Sequence, residues 1–261
     1  MTRGALILTY HSVSDGPPPL CIEPARFRKH LDTLADERAT TLTVTELAEA
    51  LTGREVPERA VAITFDDGYA DFVETAAPLL AERGLRATVF CIAGYLGEVS
   101  DWPTLPARAP RVPLASAEQL AEAGAAGFEI GSHGVEHAPL HRADEEESVR
   151  ELTESRLLLE EIAGVAVSSF AHPYGLTPSP VARRVLEREY AVACAGGLRR
   201  VRESDDSLAL PRVDAHYLRD ARLLGHAVRG GAAAYLAARR AGARVRRLAF
   251  ADHGRDPGPR R

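Results

Sequence analysis

Short apolar runs alternate with amphipathic stretches along most of the chain. Six or seven of the runs have the length and composition of strands, at residues 5–10, 60–65, 86–92, 127–132, 167–171, 190–195 and 208–213. Between them apolar residues recur at helical spacing, as Phe27, Leu31 and Leu34 do after Pro24. Strands that alternate with helices form parallel sheets, so the pattern predicts an α/β fold. The number of strands favours a partial (β/α) barrel over an open sheet.

Helix signals fill most of the intervening chain. Helices are predicted over residues 44–51, 71–83, 143–163, 178–189 and 217–240, the last with a break at Gly230-Gly231. Thr43 is expected to cap the first of them, and Ser116 with Gln119 has the spacing of a capping box that opens another helix. Residues 94–114 contain Trp102 and four prolines, which predicts a long loop that faces a substrate.

Length and composition set limits on the kind of protein. The 261 residues suit one large α/β domain, which we expect over residues 1–245, followed by a disordered tail over 246–261 that ends in Gly, Pro and Arg. The net charge is -5 without a sustained basic block, which argues against nucleic acid as a partner. Cys21, Cys91 and Cys194 lie far apart, so reduced structural thiols are expected.

Apolar segments also indicate a location. No run approaches the about 18 apolar residues of a transmembrane helix. The first apolar run is too short for the core of a signal peptide and lacks a small-residue cleavage site. We therefore expect a soluble cytoplasmic protein, with secretion by an unrecognised route left open; the oligomeric state is not indicated.

Residues suited to catalysis follow four of the predicted strands. His11 follows the first strand, and the pair Asp66-Asp67 follows the second. His133 and His137 come after the fourth strand, and a Pro-Tyr-Gly turn at 173–175 comes after the fifth. Because the carboxyl ends of parallel strands share one face, these groups are expected to converge there. Two carboxylates and several imidazoles on one face indicate a metal-assisted hydrolase.

The paired residues have the spacing of a metal site. Adjacent carboxylates at a buried strand end are costly without a cation, so a metal ligand beside a general base would explain Asp66 and Asp67. The i, i+4 spacing of His133 and His137 brings both imidazoles to one ion if the segment turns helically.

The same segment permits a second interpretation. Residues 133–137 match the inverted zinc-peptidase motif H-x-x-E-H. That motif needs a stable helix, whereas Gly134 lies inside the segment and Pro139 follows within one turn. The peptidase therefore ranks second.

Two further groups are candidates for the chemistry. A lone histidine at a strand end is usually structural, but the position of His11 on the same face as the Asp pair makes it a candidate general acid. His226 competes with it, although its Ala, Leu and Arg neighbours are typical of a structural helix. The rigid turn at 173–175 can direct the Tyr174 N–H into the site as an oxyanion donor.

These residues together resemble the polysaccharide deacetylase family (the NodB-homology domain), which includes chitin and peptidoglycan deacetylases. Residues 64–69 (TFDDGY) match its first motif, residues 132–137 (SHGVEH) carry the spaced His pair of its second, and residues 170–175 (FAHPYG) match the PYG end of its third. The likeness extends from Leu6 to Tyr217. It implies a distorted (β/α)7-type barrel and metal-dependent hydrolysis of N-acetyl (or O-acetyl) groups on a sugar or polysaccharide.

The resemblance also implies a role for each matched residue. Asp66 would be the general base, the Tyr174 N–H would bind the oxyanion, and the metal ligands would be Asp67, His133 and His137. Residues 8–13 (LTYHSV) look like the start of a circularly permuted subgroup that includes poly-N-acetylglucosamine deacetylases. In that subgroup the acid histidine comes from the first strand, which agrees with the argument for His11.

Two positions depart from the family pattern. The third motif of many members begins with an Arg that orients the base, and this chain has Ala171 there. We hypothesise that Arg212 serves instead. The C-terminal Leu-x-His motif of the family has no convincing copy here, which again favours His11. Substrate contacts are predicted for Tyr69, Trp102, Pro173, Tyr174 and Asp214.

The cofactor and the competing functions follow from this assignment. Two imidazoles and one carboxylate suit Zn first, and also Co, Ni or Fe. The predicted substrate is an acetylated sugar or glycan. The alternatives are a non-sugar amidase on the same barrel, the peptidase described above, and an inactive carbohydrate-binding relative.

Overall fold

Eight parallel strands form one sheet, and seven of them close into a barrel. The computed structural model describes residues 4–105 and 109–251, with side chains as far as residue 242. The strands are β1 (Leu6–Tyr10), β2 (Thr40–Leu42), β3 (Ala60–Phe65), β4 (Thr88–Cys91), β5 (Glu129–Ser132), β6 (Ser169–Ala171), β7 (Val192–Gly196) and β8 (Leu210–Asp214). The barrel closes because β1 pairs with β3 on one side and with β8 on the other. The α/β barrel expected from the sequence is confirmed.

The eighth strand, β2, lies outside the closed barrel. It pairs with the first half of β3, on the edge whose second half pairs with β4. The sequence analysis missed β2, because three residues are too few to show an alternating pattern. It leads directly into a helix whose first turn is closed by the capping box of Thr43 and Glu46.

Helices follow the strands around the barrel. They are α1 (Pro24–Asp36), α2 (Val44–Gly53), α3 (Ala77–Ala81), α4 (Ala117–Ala125), α5 (Glu145–Val149), α6 (Ser155–Ala163), α7 (Pro180–Glu189), α8 (Ala221–Val228) and α9 (Ala233–Ala251). The predicted capping box of Ser116 and Gln119 opens α4. No helix among the described residues has both the length and the apolar character needed to cross a membrane.

Two predicted helices contain a wider π turn. Phe72–Ala76 forms one before α3, where the N–H of Ala77 bonds to the carbonyl of Phe72. Pro78 has no N–H to donate to the preceding turn, which favours a change of hydrogen-bond register at this point. Arg150–Glu154 forms the second, between α5 and α6, so the long helix predicted over 143–163 is continuous but locally unwound.

The last helix reaches into the predicted tail. The break expected at Gly230-Gly231 separates α8 from α9. Residues 246–251 of the predicted tail belong to α9, and residues 252–261 lie outside the described residues, so the disordered tail stays a prediction.

Alternation along the strands divides the buried side chains into two sets. Leu6, Leu8 and Tyr10 of β1 pack in the large cluster beneath the helices, whereas Ile7 packs in a second cluster with small residues of other strands. Gly131 leaves room for the Phe90 side chain in this second cluster, because a Cβ at position 131 would lie 2.5 Å from the Phe90 ring. The same period of two orients polar residues near the strand ends toward the barrel axis.

Candidate active site

The groups that follow the strands meet at the carboxyl end of the barrel. Asp67 follows β3, and His133 and His137 follow β5. The Nε2 atoms of His133 and His137 lie 3.2 Å apart. Asp67 Oδ1 lies 3.6 Å from the first and 3.7 Å from the second. All three side chains are buried, and their ligand atoms fall within 4.8 Å of one another. The cluster has the size of a site for one metal ion.

The two imidazoles are arranged to offer lone pairs. His133 Nδ1 lies 2.7 Å from the carbonyl oxygen of Ala171, so Nδ1–H donates and Nε2 is free toward the cluster. Burial, and then the charge of His133, holds the pKa of His137 well below its usual value. A neutral imidazole is the form that binds a metal ion.

The cluster also fits a cation electrostatically. Burial raises the pKa of Asp67, against the lowering effect of His11 and His133. The ionised form of a buried carboxylate is stabilised by an adjacent positive ion. One carboxylate and two imidazoles suit Zn, Co, Ni or Fe. The residues present therefore fit a divalent metal.

The segment that carries both histidines is not helical. Gly134 has φ 89° and His137 has φ 56°, so a left-handed bend replaces the helical turn expected from the i, i+4 spacing. Glu136 points away from the cluster: its side chain is 43% exposed and lies 3.3 Å from Arg150. The arrangement lacks both the helix and the inward glutamate that an H-x-x-E-H peptidase uses.

A buried carboxylate from another element holds this bend. Glu151 Oε2 accepts the N–H of Val135 at 3.0 Å, and Oε1 accepts the N–H of Glu136 at 3.1 Å. The sequence analysis missed Glu151. It lies within an acidic helix start, where a buried glutamate cannot be told from its solvated neighbours by sequence alone.

Asp66 is held beside the cluster by Arg212. The two guanidinium nitrogens of Arg212 lie 2.6 and 2.7 Å from the two carboxylate oxygens of Asp66. Burial alone would raise the pKa of Asp66, but the charge of Arg212, helped by His133, keeps it well below its usual range. Asp66 is therefore ionised, and the predicted pairing with Arg212 is present.

His11 follows β1 on the same rim. Its charge acts on both Asp66 and Asp67, and its Nδ1 is buried without a hydrogen-bond partner among the described residues. Asp71 fixes the next two residues, since it accepts the Ser12 hydroxyl at 2.5 Å and the Val13 N–H at 2.9 Å.

His226 lies elsewhere in the molecule. It is exposed on α8 and packs against Gly231, where a Cβ would lie 2.2 Å from the imidazole ring. Of the two histidines weighed as general acid, His11 is the one that lies near the carboxylate pair.

The amino-acid sequence also matches a protein-family model. The model described as polysaccharide deacetylase matches residues 53–193, which is more than half of the chain. The chain belongs to the polysaccharide deacetylase family.

Curated relatives match a smaller share of their own length. A Bacillus subtilis (strain 168) protein assigned to the polysaccharide deacetylases, YxkH, is 31% identical over 65% of this chain and 56% of its own length. The poly-beta-1,6-N-acetyl-D-glucosamine N-deacetylase of Staphylococcus aureus (strain MSSA476) is 26% identical over 59% of this chain and 54% of its own. The chain thus spans about half the length of these relatives.

Solved structures share the fold. The Streptococcus pyogenes deacetylase PplD, solved with acetate, aligns at a TM-score of 0.70 with 24% identity, covering 82% of this chain and 93% of that one. IcaB from Ammonifex degensii aligns at 0.69 with 24% identity, covering 85% and 97%. At this level of identity the likeness concerns the barrel.

The departure from the family pattern has a structural counterpart in this chain. Ala171 ends β6 and offers only a methyl group, so no guanidinium comes from that strand. Arg212 reaches Asp66 from β8 instead, and its guanidinium carbon also lies 5.6 Å from the centre of the Phe90 ring. The orienting role stays a prediction.

Tyr174 has a left-handed backbone conformation. It adopts φ 59°, which is uncommon for a residue with a side chain, and its N–H makes no hydrogen bond to the described residues. Its hydroxyl donates to Thr104 of the long loop, 2.9 Å from the carbonyl and 2.8 Å from Oγ1. The oxyanion role of the N–H stays a prediction.

The other predicted substrate contacts differ in exposure. Trp102 is 3% exposed and packs 5.1 Å from the His137 ring, and Tyr69 is 1% exposed with its hydroxyl unpaired near Asp67. Pro173 is also buried. These three side chains expose little surface, and their contact with a substrate stays a prediction. Asp214 lines a small pocket with His11, and the Tyr174 side chain is 41% exposed.

Proposed function

We propose that this chain hydrolyses the N-acetyl groups of an amino-sugar glycan with the help of a divalent metal ion. The observation that carries the proposal is the convergence, at one barrel end, of the buried Asp67–His133–His137 cluster and an ionised carboxylate held by Arg212. A curated relative is named as a poly-beta-1,6-N-acetyl-D-glucosamine N-deacetylase, which supports an acetylated glucosamine polymer as the substrate class.

The ligand set would be Asp67, His133 and His137, with Zn as the first choice. A bound divalent ion would lower the pKa of water and polarise the acetyl carbonyl. The protein's own part is to orient the imidazoles, as the bond from His133 Nδ1 to the Ala171 carbonyl does.

Asp66 is proposed as the general base. Its pairing with Arg212 keeps it ionised despite burial, so it is ready to accept a proton from the attacking water. Arg212 also fixes the plane of the carboxylate through two bonds, which limits the geometries in which a proton is transferred.

Two groups on the rim would complete the reaction. The Tyr174 N–H would stabilise the negative charge on the acetyl oxygen, because a backbone donor fixed in a left-handed turn needs little reorganisation. His11 would give a proton to the leaving amine. The same set would also act on an O-acetyl ester, whose carbonyl has the same shape.

The test is acetate release by zinc-loaded protein. Substrates would be N-acetylglucosamine oligomers with β-1,6 and β-1,4 linkages, peptidoglycan fragments, O-acetylated sugars, and acetylated non-sugar amines. We expect acetate from at least one N-acetylglucosamine oligomer, and loss of most of it in Asp66→Asn with bound zinc retained. Acetate only from non-sugar amines, or none from any substrate, would contradict the proposal.

A further inference from the structure

The bend that joins His133 to His137 has little support of its own. It follows the short strand β5, contains two residues with positive φ, and belongs to no helix. Yet both imidazoles are buried and lie 3.2 Å apart at Nε2. Something outside the segment must hold its backbone for the ligand atoms to keep this geometry.

We infer that Glu151 is a positioning residue of this bend, beside the Ala93 and Gly94 N–H groups that bond to the Gly134 and Val135 carbonyls, and that it raises the metal affinity of the site without touching the ion. The inference rests on the proposed function, since it takes the Asp67–His133–His137 cluster as the metal site. The cluster itself comes from two other elements, β3 and β5, whereas Glu151 comes from the helical segment Arg150–Glu154.

The contacts of Glu151 are directed at the bend. Its carboxylate accepts three backbone donors of the bend: Val135 at 3.0 Å, Glu136 at 3.1 Å and Ala138 at 3.4 Å. Ala138 and the other two residues bracket His137 on the chain. An acceptor bonded on both sides of a ligand restricts the backbone of that ligand directly.

Its burial excludes an ordinary surface role. The side chain of Glu151 is 1% exposed, and the nearest cation among the described residues is Arg150 at 3.8 Å, whose side chain is 42% exposed. The charge is therefore satisfied mainly by backbone N–H groups of the bend. Burying a carboxylate costs free energy, and the hydrogen bonds from the bend offset this cost. The bend and Glu151 therefore stabilise each other.

Gly134 is explained by the same contact. A Cβ at this position would lie 2.4 Å from Glu151 Oε2, and the backbone has φ 89°. Any larger residue would push the carboxylate away from the bend. The glycine between the two ligands is thus required by Glu151 as well as by its own conformation.

A second tie runs between the same two elements. The hydroxyls of Ser132 and Ser155 lie 2.7 Å apart, and Ser132 Oγ accepts the N–H of Gly134 at 3.2 Å. Ser155 Oγ also donates to the carbonyl of Glu151 at 2.6 Å. The π turn that carries Glu151 is therefore fixed against the start of the bend, which places the carboxylate at a constant depth.

The test compares Glu151→Gln with Glu136→Gln. Glu136 lies in the same bend but its side chain is largely outside, so its amide variant controls for loss of one charge. Zinc affinity is measured by competition with a chromophoric chelator, and the thermal unfolding of metal-free protein is measured in parallel. Glu151→Gln should weaken zinc binding about 10- to 100-fold, because it loses the charge that strengthens these bonds and leaves one oxygen to accept three N–H groups, while Glu136→Gln stays near wild type.

The outcomes separate positioning from plain stability. Wild-type zinc affinity in Glu151→Gln, whether or not its unfolding temperature falls, would overturn the inference. If this variant does not fold, Glu151→Asp keeps the charge and withdraws it by one methylene; it should lose zinc affinity, and wild-type affinity in it would also overturn the inference.

Acetate release is recorded for the same samples. A wild-type protein that binds zinc but releases no acetate would defeat the proposed function and leave the Glu151 result intact. A wild-type protein that binds no zinc would overturn both.

Discussion

Arg212 and Asp66 form a buried ion pair whose two members depend on each other. Both side chains are almost fully buried, and the pair is bidentate. Arg212→Met should lower the free energy of unfolding by about 3–5 kcal/mol, because it leaves the Asp66 charge buried alone. Urea denaturation measures this. The control is Arg183→Met, which removes a partly exposed pair with Asp206 and should cost about 1 kcal/mol or less.

A double variant tests whether the two charges stabilise the protein as a pair. Asp66→Asn with Arg212→Met removes both charges, so it should be more stable than Arg212→Met alone. A double variant that loses the sum of the two single effects would show that the pair contributes nothing as a pair.

His11 and His226 give a second prediction about single residues. His11→Ala should lower kcat for deacetylation about 100-fold or more, the range expected for a lost proton donor. His226→Ala should leave kcat within about twofold, because His226 lies on the outer face of α8. Steady-state acetate release measures both. The reverse order would remove His11 as the acid.

At the scale of single residues, the sequence identified groups whose position depends on local order. Asp67 and His133 lie just beyond strand ends, and a strand end can be located from an apolar run. Arg212 lies within β8 and could be suggested only as a replacement for the arginine missing at Ala171. Glu151 and Asp71 were not identified. Each acts across the fold on a distant segment, and neither has a spacing to its target that marks it.

Secondary-structure elements could likewise be predicted where they depend on neighbouring residues, and not where they depend on distant ones. The cap at Thr43 and the capping box at Ser116 could be predicted, because every atom involved lies within four residues. The bend at Gly134 could not be predicted in the same way, because the i, i+4 spacing brings the two histidines together only if the segment turns helically. The left-handed turn found instead is held by Glu151, which is 17 residues further along the chain.

The long loop over residues 94–114 supports a prediction of its own. The Tyr174 hydroxyl holds it by sharing its one hydrogen between the carbonyl and Oγ1 of Thr104, and Thr104 Oγ1 donates in turn to the His137 carbonyl. Tyr174→Phe removes this shared bond and keeps the backbone N–H. At about 1 kcal/mol for the bond, local opening near Trp102 should become about 5-fold more frequent.

Hydrogen exchange followed by mass spectrometry measures that opening. Tyr235→Phe is the matched control, since its hydroxyl bonds only to the Tyr217 carbonyl on the outer helices. We expect KM to rise more than kcat falls in Tyr174→Phe. Unchanged exchange in the segment around Trp102 would show that the tether does not hold the loop.

The closed barrel could be anticipated only in outline from the sequence. Alternating strands and helices gave the parallel arrangement, and the motif resemblance implied a seven-strand barrel. Closure depends on the pairing of β1 with β3 and β8, which are far apart along the chain. Nothing local in Leu6–Tyr10 specifies two such neighbours. The register that brings His11 beside Asp66 is therefore a property of the whole molecule.

Stability of the whole molecule should fall in acid because of buried histidines. His172 is fully buried: one ring nitrogen, Nε2, lies 3.0 Å from the Leu208 carbonyl, and Nδ1 has no partner among the described residues. Burial, despite the Leu208 bond, lowers the pKa of His172 to about 4. In the unfolded chain this pKa is about 6.5.

The sign follows from proton uptake. Below about pH 6.5 His172 is protonated in the unfolded chain, whereas in the folded protein it is protonated only below about pH 4. Acid therefore favours unfolding in this pH range. The contribution approaches about 3 kcal/mol at the lower end. His172→Gln keeps a donor for Leu208 and removes the titration. The free energy of unfolding of this variant, measured in urea on metal-free protein, should fall less between pH 7.5 and 4.5 than that of the wild type, because the unfolded-state pKa of about 6.5 lies in this range. His141→Gln, at an exposed position, should follow wild type, and parallel curves for all three proteins would show that His172 is not titrating in this way.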